Sequence, residues 1–173
     1  TVLSIESLQL SKGEIIGLVG NNGAGKTTFF SLLLDLIKPS TGYIENNEIK
    51  VNESEVWKST TAAFIDESFL IGYLTPEEYF SFIAGLRSVS KVDLELFLER
   101  FGTFFNEETL GKNKYIRDLS KGNQKKVGIA AAFIGAPELV ILDEPFANLD
   151  PRAQMQLQNL LRQINQDLGC SIF

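Results

Sequence analysis

The segment Gly20-Asn21-Asn22-Gly23-Ala24-Gly25-Lys26-Thr27-Thr28 decides the fold of this chain. It fits the pattern G-x-x-x-x-G-K-[ST], in which glycines let the backbone curl so that successive N–H groups point at phosphate oxygens. Residues 14–19 before it read as a buried strand, and residues 29–37 after it read as a buried helix. The positive N-terminal end of that helix also attracts anions. The segment therefore predicts a phosphate-binding loop between a strand and a helix.

The polar positions of this loop each have an expected role toward a nucleoside triphosphate. We expect Lys26 to bridge the β- and γ-phosphates, which makes it a catalytic as well as a binding residue. The Thr27 hydroxyl is expected to bind Mg²⁺, and Thr28 to donate to the α-phosphate. The full set expected to contact the nucleotide here is Gly20, Asn21, Asn22, Gly23, Ala24, Gly25, Lys26, Thr27 and Thr28. The motif indicates phosphate binding without defining the class of NTPase.

A second motif joins a buried strand to two carboxylates. Residues 139–142 are uninterrupted apolar residues, as expected for a central strand covered on both faces, and Asp143 and Glu144 follow at once. Ligands bind at the carboxyl ends of parallel strands in such folds. Asp143 is therefore predicted to hold Mg²⁺, and Glu144 to orient and activate the attacking water.

The predicted elements indicate an α/β protein with a helical insertion. Strand-like stretches flank the phosphate loop, whereas residues 72–118 contain helix signals, among them Thr75-Pro76-Glu77-Glu78 at a helix start. We therefore expect one domain, with an α/β core at residues 1–71 and 119–173 and a helical subdomain at residues 72–118. Its sheet should be parallel or mixed, with a small antiparallel portion.

A third motif, Leu119-Ser120-Lys121-Gly122-Asn123-Gln124, separates this chain from other phosphate-loop proteins. It resembles the signature loop of the ATP-binding cassette (ABC) family, and the resemblance extends over nearly the whole chain. Ser120 and Gly122 occupy the positions that contact the γ-phosphate held by an opposite subunit. The resemblance therefore adds these two residues to the nucleotide site, and it gives Ser120 a catalytic role. Lys121 and Asn123 depart from the usual glycine and glutamine. The lysine form resembles exporter-type cassettes.

The same resemblance implies further positions, cofactors and partners. Glu67 stands where the family usually has a glutamine that senses Mg²⁺, so we expect it near the metal. Asp150 stands where the family contacts a partner subunit, although Asp150 before Pro151 is also a good helix cap. The implied cofactors are ATP and Mg²⁺. The implied partners are a second cassette, in a head-to-tail ATP-dependent dimer, and a transmembrane permease on whose cytoplasmic face the protein would lie.

Both ends of the sequence read as cut within longer elements. The resemblance places an adenine-stacking aromatic residue before Val2 and a γ-phosphate histidine after Phe173. We therefore expect a fragment, with weak nucleotide binding and slow turnover of its own.

Composition narrows the alternatives. The net charge of −6 disfavours nucleic acid as a partner, and the absence of histidine excludes an imidazole base or ligand. A single cysteine excludes an internal disulfide, and no apolar run approaches the ~20 residues that span a bilayer. The resemblance implies an ATP-hydrolysing subunit that powers transport across a membrane, with export favoured. Two alternatives stay open: a soluble cassette ATPase acting on ribosomes or DNA, and a nucleoside kinase or small GTPase sharing only the phosphate loop. The latter leaves residues 119–124 unexplained.

Overall fold

The computed structural model describes residues 3–21, 23–105 and 109–173 and confirms the predicted α/β fold. The helices are α1 (Lys26–Leu33), α2 (Pro76–Leu86), α3 (Lys91–Arg100), α4 (Gly102–Phe105), α5 (Lys121–Ala132) and α6 (Pro151–Leu168). The strands are β1 (Glu45–Asn46), β2 (Ile49–Lys50), β3 (Thr61–Phe64), β4 (Leu139–Leu142) and β5 (Ser171–Ile172). Short 3₁₀ turns lie at Val56–Ser59, Glu67–Phe69 and Ile116–Asp118.

A parallel sheet positions the functional residues. Its described strands run in the order β3-β4-β5, with Phe64 opposite Leu142 and Val140 opposite Ile172. The small antiparallel portion is the β1–β2 hairpin, whose Asn47 and Glu48 both have positive φ, the conformation that a two-residue hairpin turn requires.

The central strand β4 is covered on both faces, as its uninterrupted apolar sequence predicts. Val140 and Leu142 belong to a large core cluster that also contains residues of α2 to α6. Ile141 points the other way, into a second cluster with Phe29, Phe30 and Phe173. Since alternate residues of β4 are buried on opposite sides, the strand end that follows is held from both faces.

Polar side chains cap the starts of several helices. Thr75 and Glu78 form a reciprocal capping box at the start of α2. Ser120 caps α5 and Asp150 caps α6. Helix α3 ends at Arg100, and Gly102 begins α4.

Two predicted elements near the loop are shorter and more exposed than expected. Residues 14–19 form no strand beyond a single parallel bridge between Ile15 and Ile172, and Val19 is 94% exposed. Only one edge of this segment is paired, and none of the described elements hydrogen-bonds along its other edge. Helix α1 ends at Leu33 because Asp35 turns into the left-handed region, so Leu36 and Ile37 lie exposed.

Residues 72–118 contain α2, α3 and α4, in agreement with the predicted helical stretch. These helices share the large core cluster with β3, β4 and α5. The boundaries of a separate helical subdomain therefore stay a prediction.

Candidate nucleotide-binding site

The loop before α1 has the backbone shape that its glycines permit. Gly23 and Gly25 have φ of +83° and +92°, a region that other residues rarely adopt. At Gly20 a Cβ atom would lie 3.2 Å from the Cβ of Ala24, so the two turns of the loop approach closely. Asn22 lies outside the described residues. The loop ends directly at the N-terminus of α1, where the first amides of the helix have no partner within the helix.

Lys26 reaches back over this loop. Its Nζ donates to the carbonyl oxygens of Gly20, at 2.9 Å, and Asn21, at 3.3 Å. It also lies 3.7 Å from Oε1 of Glu144. The lysine thus connects the phosphate loop to the carboxylates that follow β4.

Thr27 and Asp143 form the closest contact between the two motifs. The Thr27 hydroxyl donates to Oδ2 of Asp143 at 2.7 Å. Asp143 is only 6% exposed, and its amide extends the sheet by donating to the Phe64 carbonyl at 3.0 Å. A hydroxyl and a carboxylate oxygen are the hard ligands that Mg²⁺ prefers, and this ion commonly takes one or two protein ligands beside phosphate oxygens. The residues at this position fit the metal.

Glu144 sits at a sharp bend. Its φ is +45°, unusual for a non-glycine residue. Its carbonyl accepts from Nζ of Lys125 at 2.9 Å and from the amide of Ala147 at 3.1 Å. Its carboxylate is 56% exposed and faces Lys26. The bend turns this side chain out of the sheet toward the loop, where it is accessible to a water molecule.

Ser120 and Gly122 of the third motif lie at the start of α5. Ser120 accepts from the Asn123 amide at 3.2 Å as the cap of α5. At Gly122 a Cβ atom would lie 3.0 Å from the carbonyl oxygen of Asn148, so glycine permits a close approach there. An open depression of about 310 Å³ adjoins this helix start and is lined by Lys112, Lys114, Asp118, Leu119, Ser120 and Asn123. Within the described part of the chain, no hydrogen bond connects Ser120 to the phosphate loop.

The remaining predicted site residues lie in α1, after β3 and at the start of α6. Thr28 lies in the first turn of α1. Glu67 faces Nζ of Lys125 at 3.7 Å, with both side chains largely buried. Asp150 caps α6 by accepting from the Ala153 amide at 2.9 Å, and this hydrogen bond lowers the pKa of its carboxyl.

Lys125 is the site residue that the sequence analysis missed. It lies on α5 and touches both Glu67 and the Glu144 backbone. The available signal was Lys125-Lys126 at the head of the mostly apolar residues 127–134, since a lysine buried in such a helix requires a partner.

Comparison with known proteins agrees with this geometry. A family model described as "ABC transporter" matches residues 3–147. The bacitracin transport ATP-binding protein BcrA of Enterococcus faecalis is 36% identical over 176 residues, which cover 100% of this chain and 55% of BcrA. The methionine import ATP-binding protein MetN 1 of Bacillus cereus is 33% identical over 98% of this chain and 50% of its own length. The chain thus spans about half the length of these relatives.

A solved structure described as the ATP-binding subunit of an ABC transporter has the same fold. It superposes with a TM-score of 0.82 at 28% identity and covers 99% of this chain and 71% of that one. Together, the phosphate loop, the acidic strand end and these matches define the fold of an ATP-binding cassette. The chain belongs to the ABC transporter family, and the relatives named above are transport ATP-binding proteins. No helix within residues 3–21, 23–105 and 109–173 has the length and apolar character to cross a membrane.

Proposed function

We propose that this chain is the ATP-hydrolysing cassette of a membrane transporter. The observation that carries the proposal is the 2.7 Å contact between Thr27 and Asp143, which brings the phosphate loop and the acidic strand end to one place. Lys26 and Glu144, 3.7 Å apart, flank the same place. A binding loop and a pair of carboxylates that converge in this way suit phosphoryl transfer to water.

Different residues of the chain have different roles in this proposed reaction. Mg²⁺, when bound, would neutralise the charge of the phosphates, and Thr27 and Asp143 would be its protein ligands. The loop amides and Lys26 hold the β- and γ-phosphates, so that Lys26 exchanges its two carbonyl partners for phosphate oxygens. Glu144 accepts a hydrogen bond from the attacking water and orients it toward the γ-phosphate. This assignment leaves Glu67 out of the metal shell of the described conformation, because its carboxylate faces Lys125.

A second copy would complete each site. Ser120 lies at the start of α5, beside an open depression and with no hydrogen bond to its own phosphate loop in the described structure. The resemblance of residues 119–124 to the family's signature loop assigns Ser120 and Gly122 of one copy to the γ-phosphate bound by the other. ATP then favours the closed head-to-tail dimer, and hydrolysis releases it, because the γ-phosphate is the group that the two surfaces share.

The surface beside Glu67 suits a membrane partner. Phe69 and Tyr73 are 66% and 71% exposed, and Ile71 between them is 40% exposed. Exposed apolar side chains this close together are typical of an interaction surface. We assign this surface, at the start of the helical stretch 72–118, to a transmembrane permease, with the cassette on the cytoplasmic face. The resemblance of the signature loop to exporter-type cassettes favours export.

The variant Glu144→Gln tests the hydrolytic proposal. It removes the carboxylate that orients water while preserving its shape, so the ATP turnover number should fall at least about 100-fold, with ATP affinity within about threefold of wild type. The variant should also accumulate as an ATP-bound dimer on size-exclusion chromatography. Glu138→Gln is the matched control, since Glu138 precedes the same strand at its opposite end and should not alter turnover.

Unchanged turnover in Glu144→Gln would remove Glu144 from this role. Pull-down of the full chain from its native host separates the partner classes. A membrane subunit among the captured proteins supports a role in transport. Captured ribosomes or DNA would contradict that role and support a soluble cassette ATPase.

A further inference from the structure

A largely buried ion pair lies directly beneath Glu144. Nζ of Lys125 and Oε1 of Glu67 are 3.7 Å apart, with side chains 7% and 12% exposed respectively. This separation is in the range of an ion pair but too long for a hydrogen bond, and Oε1 of Glu67 is a buried atom without a hydrogen-bond partner among the described residues. Lys125 is therefore the counter-charge of the Glu67 carboxylate in the described structure.

Lys125 directs its hydrogen bond to a different residue. Its Nζ donates at 2.9 Å to the carbonyl oxygen of Glu144. Glu144 has a φ of +45°, a conformation that persists in a non-glycine residue only where surrounding contacts impose it. The same carbonyl accepts from the Ala147 amide, which closes the bend on its other side. Lys125 thus supplies one of two hydrogen bonds that fix this backbone.

We propose that Lys125 is a positioning residue for the proposed hydrolysis, with Glu67 as its buried counter-charge. Lys125 acts through the backbone of Glu144, holding the bend that turns the Glu144 carboxylate toward Lys26 and the water site. Glu67 acts one step further away, keeping the Lys125 amine at the Glu144 carbonyl. The kinetic part of this inference rests on the proposed function, whereas the pairing of Glu67 with Lys125 does not.

The kinetic test removes the amine while retaining the length of the side chain. Lys125→Met should lower the ATP turnover number at least about tenfold and change the KM for ATP less than about twofold, because the lost interaction orients the water-activating group and contacts no nucleotide. Arg87→Met is the matched control. Arg87 is also a half-buried cation that donates to backbone carbonyls, those of Ser59 and Thr61, but at the opposite end of β3.

If Lys125 had only a structural role, Lys125→Met and Arg87→Met would change thermal stability and the turnover number in the same way. Arg87→Met should lose thermal stability and keep the wild-type turnover number at a temperature where it is folded. If Lys125→Met also keeps the wild-type turnover number, or if its only change is a higher KM, the positioning role is wrong.

The pairing test requires no ATPase activity. Lys125→Met leaves Glu67 buried and unpaired, so its unfolding midpoint should fall by at least about 4 °C. Adding Glu67→Gln to this variant removes the unpaired charge and should raise the midpoint again, although Glu67→Gln alone should lower it. The effect of Glu67→Gln on the unfolding midpoint should thus change sign between the two backgrounds, which is expected only if the two charges are paired.

The two tests separate the possible failures. If Glu67→Gln has the same effect on the unfolding midpoint in both backgrounds, the inferred pairing of Glu67 with Lys125 is wrong, whether or not the protein hydrolyses ATP. If the wild-type protein shows no turnover while the sign reversal is observed, the proposed function fails and the pairing stands.

Discussion

At the scale of single residues, Gly128 shows how closely α5 packs against the sheet. A Cβ atom at this position would lie 2.1 Å from a ring carbon of Phe64, which is itself 4% exposed on β3. Gly128→Ala should therefore destabilise the fold by about 1–3 kcal/mol, because the buried ring or the helix must shift to accommodate the methyl group. Gly85→Ala is the control, since outside its own stretch of α2 no atom of the described residues lies within 4 Å of a Cβ added at Gly85.

Urea unfolding of the two glycine variants makes the comparison. Gly85→Ala should be neutral or more stable by up to about 1 kcal/mol, from helix propensity alone. Equal stability of the two variants would contradict the close packing of α5 on Phe64.

The residues of the candidate site differ in how far the sequence could predict them. Lys26, Thr27, Asp143 and Glu144 have roles that follow from local motifs, and the structure brings all four together. The partner of Glu67 could not be predicted, because its contact with Lys125 joins residues far apart in the chain. Charge at a single position does not show whether a metal or a lysine balances it.

At the scale of elements, the N-terminus of α6 has a pH-dependent cap. The Ala153 amide donates to the Asp150 carboxylate and lowers the pKa of that group below its usual value. A lowered pKa in the folded state means that the cap contributes stability above the unfolded pKa, near about 4, and loses it as the pH falls through the folded pKa.

Asp150→Asn tests this cap. Asparagine also caps helices but does not titrate, so the variant should resemble wild type at pH 7 and lose less stability on acidification from about pH 5 to pH 2. Thermal unfolding midpoints across that range measure the difference. Asp150→Ala should be less stable than Asp150→Asn at pH 7, and parallel acid profiles for wild type and Asp150→Asn would exclude the contribution of the carboxylate.

Elements were predictable where local chemistry defines them. The capping box of Thr75 and Glu78 and the uninterrupted apolar run of β4 are local features, and both are present. The stretch 14–19 has the composition of a buried strand, yet it is paired only through the bridge at Ile15. Burial of a strand depends on neighbours that its own residues do not define.

At the scale of the whole molecule, packing on both sides of β4 places the acidic strand end against the phosphate loop. The cluster around Phe29, Phe30 and Phe173 holds α1 on one face of the sheet. The larger cluster holds α5 on the other face. Because α1 carries Thr27 and α5 carries Lys125, the two clusters bring both residues to the end of β4. The apolar sequence of residues 29–37 predicted a buried helix, whereas the meeting point of α1 and α5 at the end of β4 required the three-dimensional structure.

The central claim is that the phosphate loop and the acidic strand end bind one Mg²⁺–ATP, and calorimetric titration with ATP tests it most directly. Wild-type protein should bind ATP at least about tenfold more tightly with Mg²⁺ than with EDTA, since under this claim Thr27 and Asp143 would both hold the metal. In Asp143→Asn this dependence should shrink to about threefold or less, with affinity in EDTA unchanged. An equal Mg²⁺ dependence in the two proteins would contradict the shared site.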